Sequence, residues 1–459
     1  MNKYLWVAFP VAFLNAVTFG LYATYGMYYS LFVEDFNSTY SFMGLVGTSV
    51  SLFISVFSQA NPWIEKTFGY SVCVVVGGLL TALTFFATSY DTNQYEVLFT
   101  YSMILGMSGS VSYLVYGHLF ENLDAIELKW AFSGIQLGTA LFYILFSCFV
   151  EYKLHSGSTW RNVFRYYFSV VGLLYTAFAV FFFVYQCRNK SEYTELPTEE
   201  VLSEVDLPTR AGSLSEHKSE GNEPAERPVD HRPFLVEEDT GGWVRLLSTT
   251  DRCSALAVTI SNFLTVITCV VPSKFALIYC TDNGTESEFV NYLVPVVLGS
   301  AQILSSVFYG TVAQAHPRFT SFEWCKVGQL GCMGSALLMV LLPTSYSFGI
   351  KLAGIALYTF FISIIYSVTI LRLFEVVGRR FHVENFSVWL LLSGIAVTSG
   401  GYLGGLVYDL TNSFHAVFLL VAITFAISFI YDEILYVRWI TLFDSPCKAC
   451  LSEDKLAQL

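Results

Sequence analysis

Apolar residues along this chain fall into long blocks, each about the length of a bilayer-crossing helix, separated by short polar breaks. The blocks cover approximately 4–33, 41–61, 70–89, 95–118, 130–150 and 163–187. After a polar gap they resume at 252–280, 288–314, 323–343, 347–371, 386–408 and 414–437. The pattern predicts an all-α membrane protein of about twelve spanning helices, arranged as two six-helix bundles. Residues 1–187 form the first bundle and 246–437 the second, with a linker at 188–245 and a tail at 438–459. The first apolar run, reaching Phe32, is too long for a signal-peptide core, so it reads as the first span.

Composition agrees with the pattern. Only 13% of residues are charged against 54% hydrophobic, where soluble domains carry about 25% charged residues. Charge this sparse covers a body of 459 residues only if much of its surface faces lipid. The net charge of −12 is concentrated in the linker, which holds Glu192, Glu195, Glu199, Glu200, Glu204 and Asp206 and five prolines. Such a segment buries too little apolar surface to offset chain entropy and reads as a disordered cytoplasmic linker. It is a candidate surface for cytoplasmic partners, and nothing in the charge pattern points to nucleic acid. Most of the ten cysteines lie inside apolar blocks, as small hydrophobes. The tail pair Cys447 and Cys450 lacks the two further ligands of a zinc site, leaving acylation or an unmodified pair. No metal or cofactor is expected.

The halves share one offset. Asn15 and Asn262, mid-block in the first and seventh spans, lie 247 residues apart. The sequons at Asn37 and Asn283, which follow those spans, lie 246 apart. The offset fits an internal repeat, or simply twelve spans of equal length. A cytoplasmic N-terminus puts Asn37 and Asn283 outside, where N-glycosylation requires them. It also leaves seven Lys and Arg in the short inner loops and flanks against four outside. Both termini are therefore expected in the cytoplasm of a plasma or internal membrane.

Several motifs carry a family resemblance. The stretch Trp63-Ile64-Glu65-Lys66-Thr67-Phe68-Gly69 resembles the cytoplasmic loop signature of the major facilitator superfamily, with Glu65-Lys66 at its acid–base pair and Gly69 at its turn. Within that superfamily the chain is most similar to the monocarboxylate transporter family, as a divergent member. The seventh span, Ile260-Ser261-Asn262-Phe263-Leu264 through Pro272, resembles that family's seventh helix. Gly404-Gly405-Leu406-Val407-Tyr408-Asp409-Leu410-Thr411 resembles its eleventh-helix end, and Trp130 to Gly138 its fifth helix. The resemblance implies a twelve-helix carrier in which the Glu65, Lys66 and Gly69 loop stabilises one of two alternating conformations. A plain polar turn is the other reading of that loop. The family's acidic-Gly-Gly-aromatic lead-in is missing, and its paired Asp and Arg on the eighth helix align with Gln302 and Ser306. Proton-coupled chemistry of that type therefore does not carry over.

Ionisable groups inside a bilayer are costly and mark function. Lys274, two residues after Pro272, either faces a central cavity toward an anionic solute or snorkels to the interface. Asn15, Asn262, Gln136 and Gln302 are mid-span amides that need protein or water partners, as helix–helix bonds or as cavity lining. Tyr22, Tyr25 and Tyr29 share a helical face, as a cavity wall or a packing stripe. Arg372 with Glu375, and Asp432 with Glu433, read as gate or anchor charges at helix ends. No HExxH, GxSxG, Walker or GxGxxG pattern points to an enzyme. The expectation is a symporter or uniporter of a small organic solute, of monocarboxylate type, in contact with membrane lipid. A sensor that reuses the same fold is the alternative.

Overall fold

The computed structural model describes residues 16–68, 70–112, 125–193, 251–281, 288–315, 320–341, 348–377 and 382–443. Among them every regular element is helical. Helix α1 covers 16–35, with a turn at Thr24. It is followed by α2 (Tyr40–Ser58), α3 (Tyr70–Thr88), α4 (94–112), α5 (Ala125–His155) and α6 (160–193). The second set is α7 (251–281), α8 (Glu288–Ala315), α9 (Ser321–Leu341), α10 (Phe348–Val377), α11 (His382–Thr411) and α12 (Phe414–Phe443). Nine stretches among the described residues are long and apolar enough to cross a bilayer. Leu304, Phe181 and Ile434 are among the large side chains left on the outside, where lipid would surround them.

Several boundaries differ from the sequence reading. Helices α6 and α12 continue six residues past the expected ends, to Tyr193 and Phe443. Asn61–Phe68, read as a polar break, is a short helix. Pro62 in its first turn is compatible with helix, because no intrahelical donor is needed there. Asn61 Nδ2 ties it to the Ser110 carbonyl at 2.6 Å. Glu65 and Lys66 lie on this helix, but their side chains and Gly69 are outside the described residues, as are Asn15, Asn283 and the linker from 194. Asn37 is exposed in the left-handed backbone region, at φ 47°.

Two helix pairs form the main seams between the halves. Along α2 and α11 the backbones approach closely enough that a Cβ at Gly405 would strike Tyr40 and Ser41. Thr398 Oγ1 donates to the Thr48 carbonyl at 3.2 Å. At the end of α11, the Asp409 carboxylate accepts from the backbone N–H groups of Tyr40 (3.0 Å) and Ser41 (2.8 Å). Those are orphan donors of the first turn of α2, where the helix dipole also favours an anion. Along α5 and α8, Ser133 Oγ donates to the Ser306 carbonyl at 2.5 Å, and Asn291 Nδ2 to Glu151 at 3.0 Å. Lipid offers no hydrophobic drive between helices, so small residues and polar bonds of this kind hold such seams.

The second half encloses a buried ion pair. Arg372 on α10 donates to Asp432 on α12 at 2.7 Å, and both side chains are 1% exposed. Ser261 on α7 accepts from Arg372 and donates to Asp432, while Gln329 on α9 donates to the other carboxylate oxygen at 2.7 Å. The expected grouping of these charges is therefore corrected. Arg372 pairs with Asp432 across two helices, and Glu433 pairs with Lys326 at 2.8 Å. Depth decides this, since two charges in the dry bundle stabilise each other while interface charges face water.

Two outcomes follow for purified protein in detergent. Arg372→Met or Asp432→Leu alone should destabilise it by about 3–5 kcal/mol, and the double variant should recover most of that. A double variant that loses the sum of the two single losses in a denaturant titration would show that the charges are not coupled. Asp409→Ala should weaken the α2–α11 seam by about 0.5–2 kcal/mol, by analogy with a lost helix cap, and raise the labelling rate of a Ser273→Cys reporter. An unchanged melting temperature and labelling rate would show that the carboxylate does not hold the seam.

Candidate functional site

Helix α7 is broken at 267–270. Pro272 has no N–H with which to reach the Thr268 carbonyl, so that carbonyl accepts from Val271 at 3.1 Å instead. The chain re-enters helix at Val271–Thr281. Helix α1 is irregular at the facing position. Thr24 Oγ1 folds back onto the Leu21 carbonyl at 2.7 Å, and Met27 N–H bonds Thr24 three residues back. Gly400 on α11 makes room for the α7 break, since a Cβ there would overlap the Ile267 carbonyl. Breaks in facing helices at membrane depth are tolerated where the backbone lines a cavity.

The cavity beside these breaks has a volume of about 300 Å³ and is walled by α1, α2, α5, α7, α8, α10 and α11. That volume is at the small end for organic-ligand sites. It lies between the halves, with Tyr22, Gln136, Asn262, Lys274 and Gln302 in its lining. Toward the Asp409 end, rings from both halves close over it. Tyr29 meets Phe275 at 5.2 Å and Tyr40 meets Tyr408 at 4.8 Å, with Phe414 against Tyr408 at 4.7 Å.

Lys274 is 8% exposed and lies in the cavity wall. Its Nζ sits 4.3 Å from the Tyr22 ring centre and 5.1 Å from that of Tyr25. It also donates to the Tyr22 carbonyl at 3.4 Å. No carboxylate among the described residues forms an ion pair with it. Burying an ammonium costs several kcal/mol, and ring faces return about 2 kcal/mol when desolvated. The contacts around Lys274 therefore offset only part of the cost of burying its charge.

The amides divide. Gln302 Nε2 donates to Gln136 Oε1 at 3.0 Å, linking α8 to α5 at the cavity edge. Asn262 Nδ2 donates to Ser393 Oγ at 2.5 Å. Tyr22 lines the cavity and bonds Ser51 at 3.2 Å. Tyr25 does not line it. Its ring packs against Tyr29 and Tyr101, and its hydroxyl donates to the Met43 carbonyl at 2.7 Å. Sequence reasoning missed Trp389 and Ser393, which line the cavity from α11. Apolar blocks hide such residues, and the only signal was a Trp and a Ser one turn apart.

A family profile described as Major Facilitator Superfamily matches residues 9–382. No curated protein matches the sequence. Among solved structures, a crystal structure of the nucleoside transporter NupG is similar with a TM-score of 0.60 at 13% identity. That alignment covers 97% of this chain and 100% of the other. A second NupG structure, of a point variant, aligns at a TM-score of 0.64 and 11% identity, over 94% and 99% of the two chains. At these identities the similarity is one of fold. With the profile spanning most of its length, this chain belongs to the major facilitator superfamily.

Proposed function

We propose that this membrane transporter carries a small organic anion, of monocarboxylate type, by exposing the central cavity alternately to the two sides of the membrane. The observation that supports this is Lys274, buried in the cavity wall with no carboxylate paired to it among the described residues. One uncompensated cation calls for a solute with one anionic group. Closure at the Asp409 end, with broken α1 and α7 meeting at the site, fits two halves that rock about it. We take the Asp409 end as external, which puts the exposed Asn37 sequon on the glycosylating side and both termini inside. The nucleoside cargo of NupG belongs to that protein, and a nucleoside serves here as the neutral control.

Purified protein in proteoliposomes should take up organic acid anions from a panel that includes that control. Lys274→Ala should reduce anion uptake about tenfold or more, the loss of about 1.4 kcal/mol or more of binding, at unchanged surface expression. Lys274→Arg, which keeps the charge, should retain part of it. Unchanged kinetics in Lys274→Ala, or uptake of the nucleoside alone, would overturn the anion reading.

A further inference from the structure

Anion capture at Lys274 leaves the amides of the cavity without a role. A primary amide carries two N–H donors and a carbonyl with two lone pairs. The Gln136–Gln302 bond consumes one donor and one acceptor. Gln136 Nε2 and Gln302 Oε1 bond no other described residue, and both side chains are half-buried in the lining. If both amides are turned over, the pair still presents one NH₂ and one C=O. The edge therefore offers a donor beside an acceptor, shared between the two halves of the protein.

Asn262 extends the same chemistry. Ser393 Oγ donates to the Trp389 carbonyl at 2.7 Å, so it can only accept from Asn262. That fixes the Asn262 amide and leaves its Oδ1 without a partner among the described residues, on a side chain 1% exposed. Trp389 Nε1, on another lining residue, is also without a partner. A buried polar group left unsatisfied costs about 1–3 kcal/mol. Helix packing accounts for the bonds that are made and not for the groups left over.

The cation and these amides line one cavity. Lys274 and Asn262 are twelve residues apart on α7, on opposite sides of its break. We propose that the Gln136–Gln302 pair is a recognition subsite for a neutral amide-type head, carried by the solute together with its acidic group. The class is an organic acid with adjacent N–H and C=O groups, such as a lactam, imide or ureide acid. This proposal rests on the anion reading above and narrows it.

Matched pairs of acids test it by isothermal titration of the full chain in nanodiscs. Orotate and 5-oxoprolinate carry an amide edge, whereas benzoate and cyclopentanecarboxylate keep ring size and charge without it. The native chain should bind each amide acid at least about tenfold more tightly than its apolar match. Gln136→Leu and Gln302→Leu should each reduce that preference to about twofold while benzoate still binds, which also reports an intact fold. Lys274→Met should weaken all four acids. Equal affinities within each pair, or a preference that survives both glutamine variants, overturn the amide subsite and leave the anion reading standing. Binding unaffected by Lys274→Met overturns the anion reading instead, and failure of all four acids to bind overturns both.

Discussion

A buried ammonium in a low-dielectric interior is the constraint on which this structure turns. Lys274 is held by two tyrosine rings and one carbonyl, contacts that soften the cost of desolvation without cancelling a full charge. The arrangement exists because two helices fail at the same depth. Pro272 forces the break in α7, Thr24 bends α1, and the loosened backbones meet where the cavity forms. A continuous helix in either place would fill that space with regular side-chain packing.

Away from this site the second half holds a buried ion pair. The Arg372–Asp432 pair is bonded across α7, α9, α10 and α12 and is not part of the cavity lining, so it rigidifies one half. The seams between the halves are different in kind. They rely on glycine contacts, single hydroxyl bonds and one carboxylate capping α2. Weak, numerous and reversible contacts suit surfaces that part and reform, whereas the bundles themselves hold together through buried networks.

Much of the fold was legible because length and apolar run are local properties. Each of the twelve apolar blocks contains a helix among the described residues, with the first and the seventh interrupted. The α7 break was visible only as Pro272, since a proline marks a missing bond but not how the chain re-enters helix. Lys274 stood out as a charge in an apolar block, yet its choice between cavity and interface depended on Tyr22, 252 positions away. The pairing of Arg372 with Asp432, sixty positions apart, has no periodic signature, and proximity in sequence to Glu375 was misleading. Tyr25 shows the converse. Its helical spacing with Tyr22 was correct, but about a sixth of a turn separates a cavity wall from an aromatic core.

The claim that the halves rock about the Lys274 cavity is tested most directly by distance. Spin labels at Glu34 and Thr411, exposed positions on opposite halves at the Asp409 end, report whether that end opens. Pulsed electron–electron resonance in nanodiscs should find a short distance matching this closed arrangement and a longer one, with an anionic solute shifting their balance. A single short distance, identical with and without every solute that binds, would contradict the account.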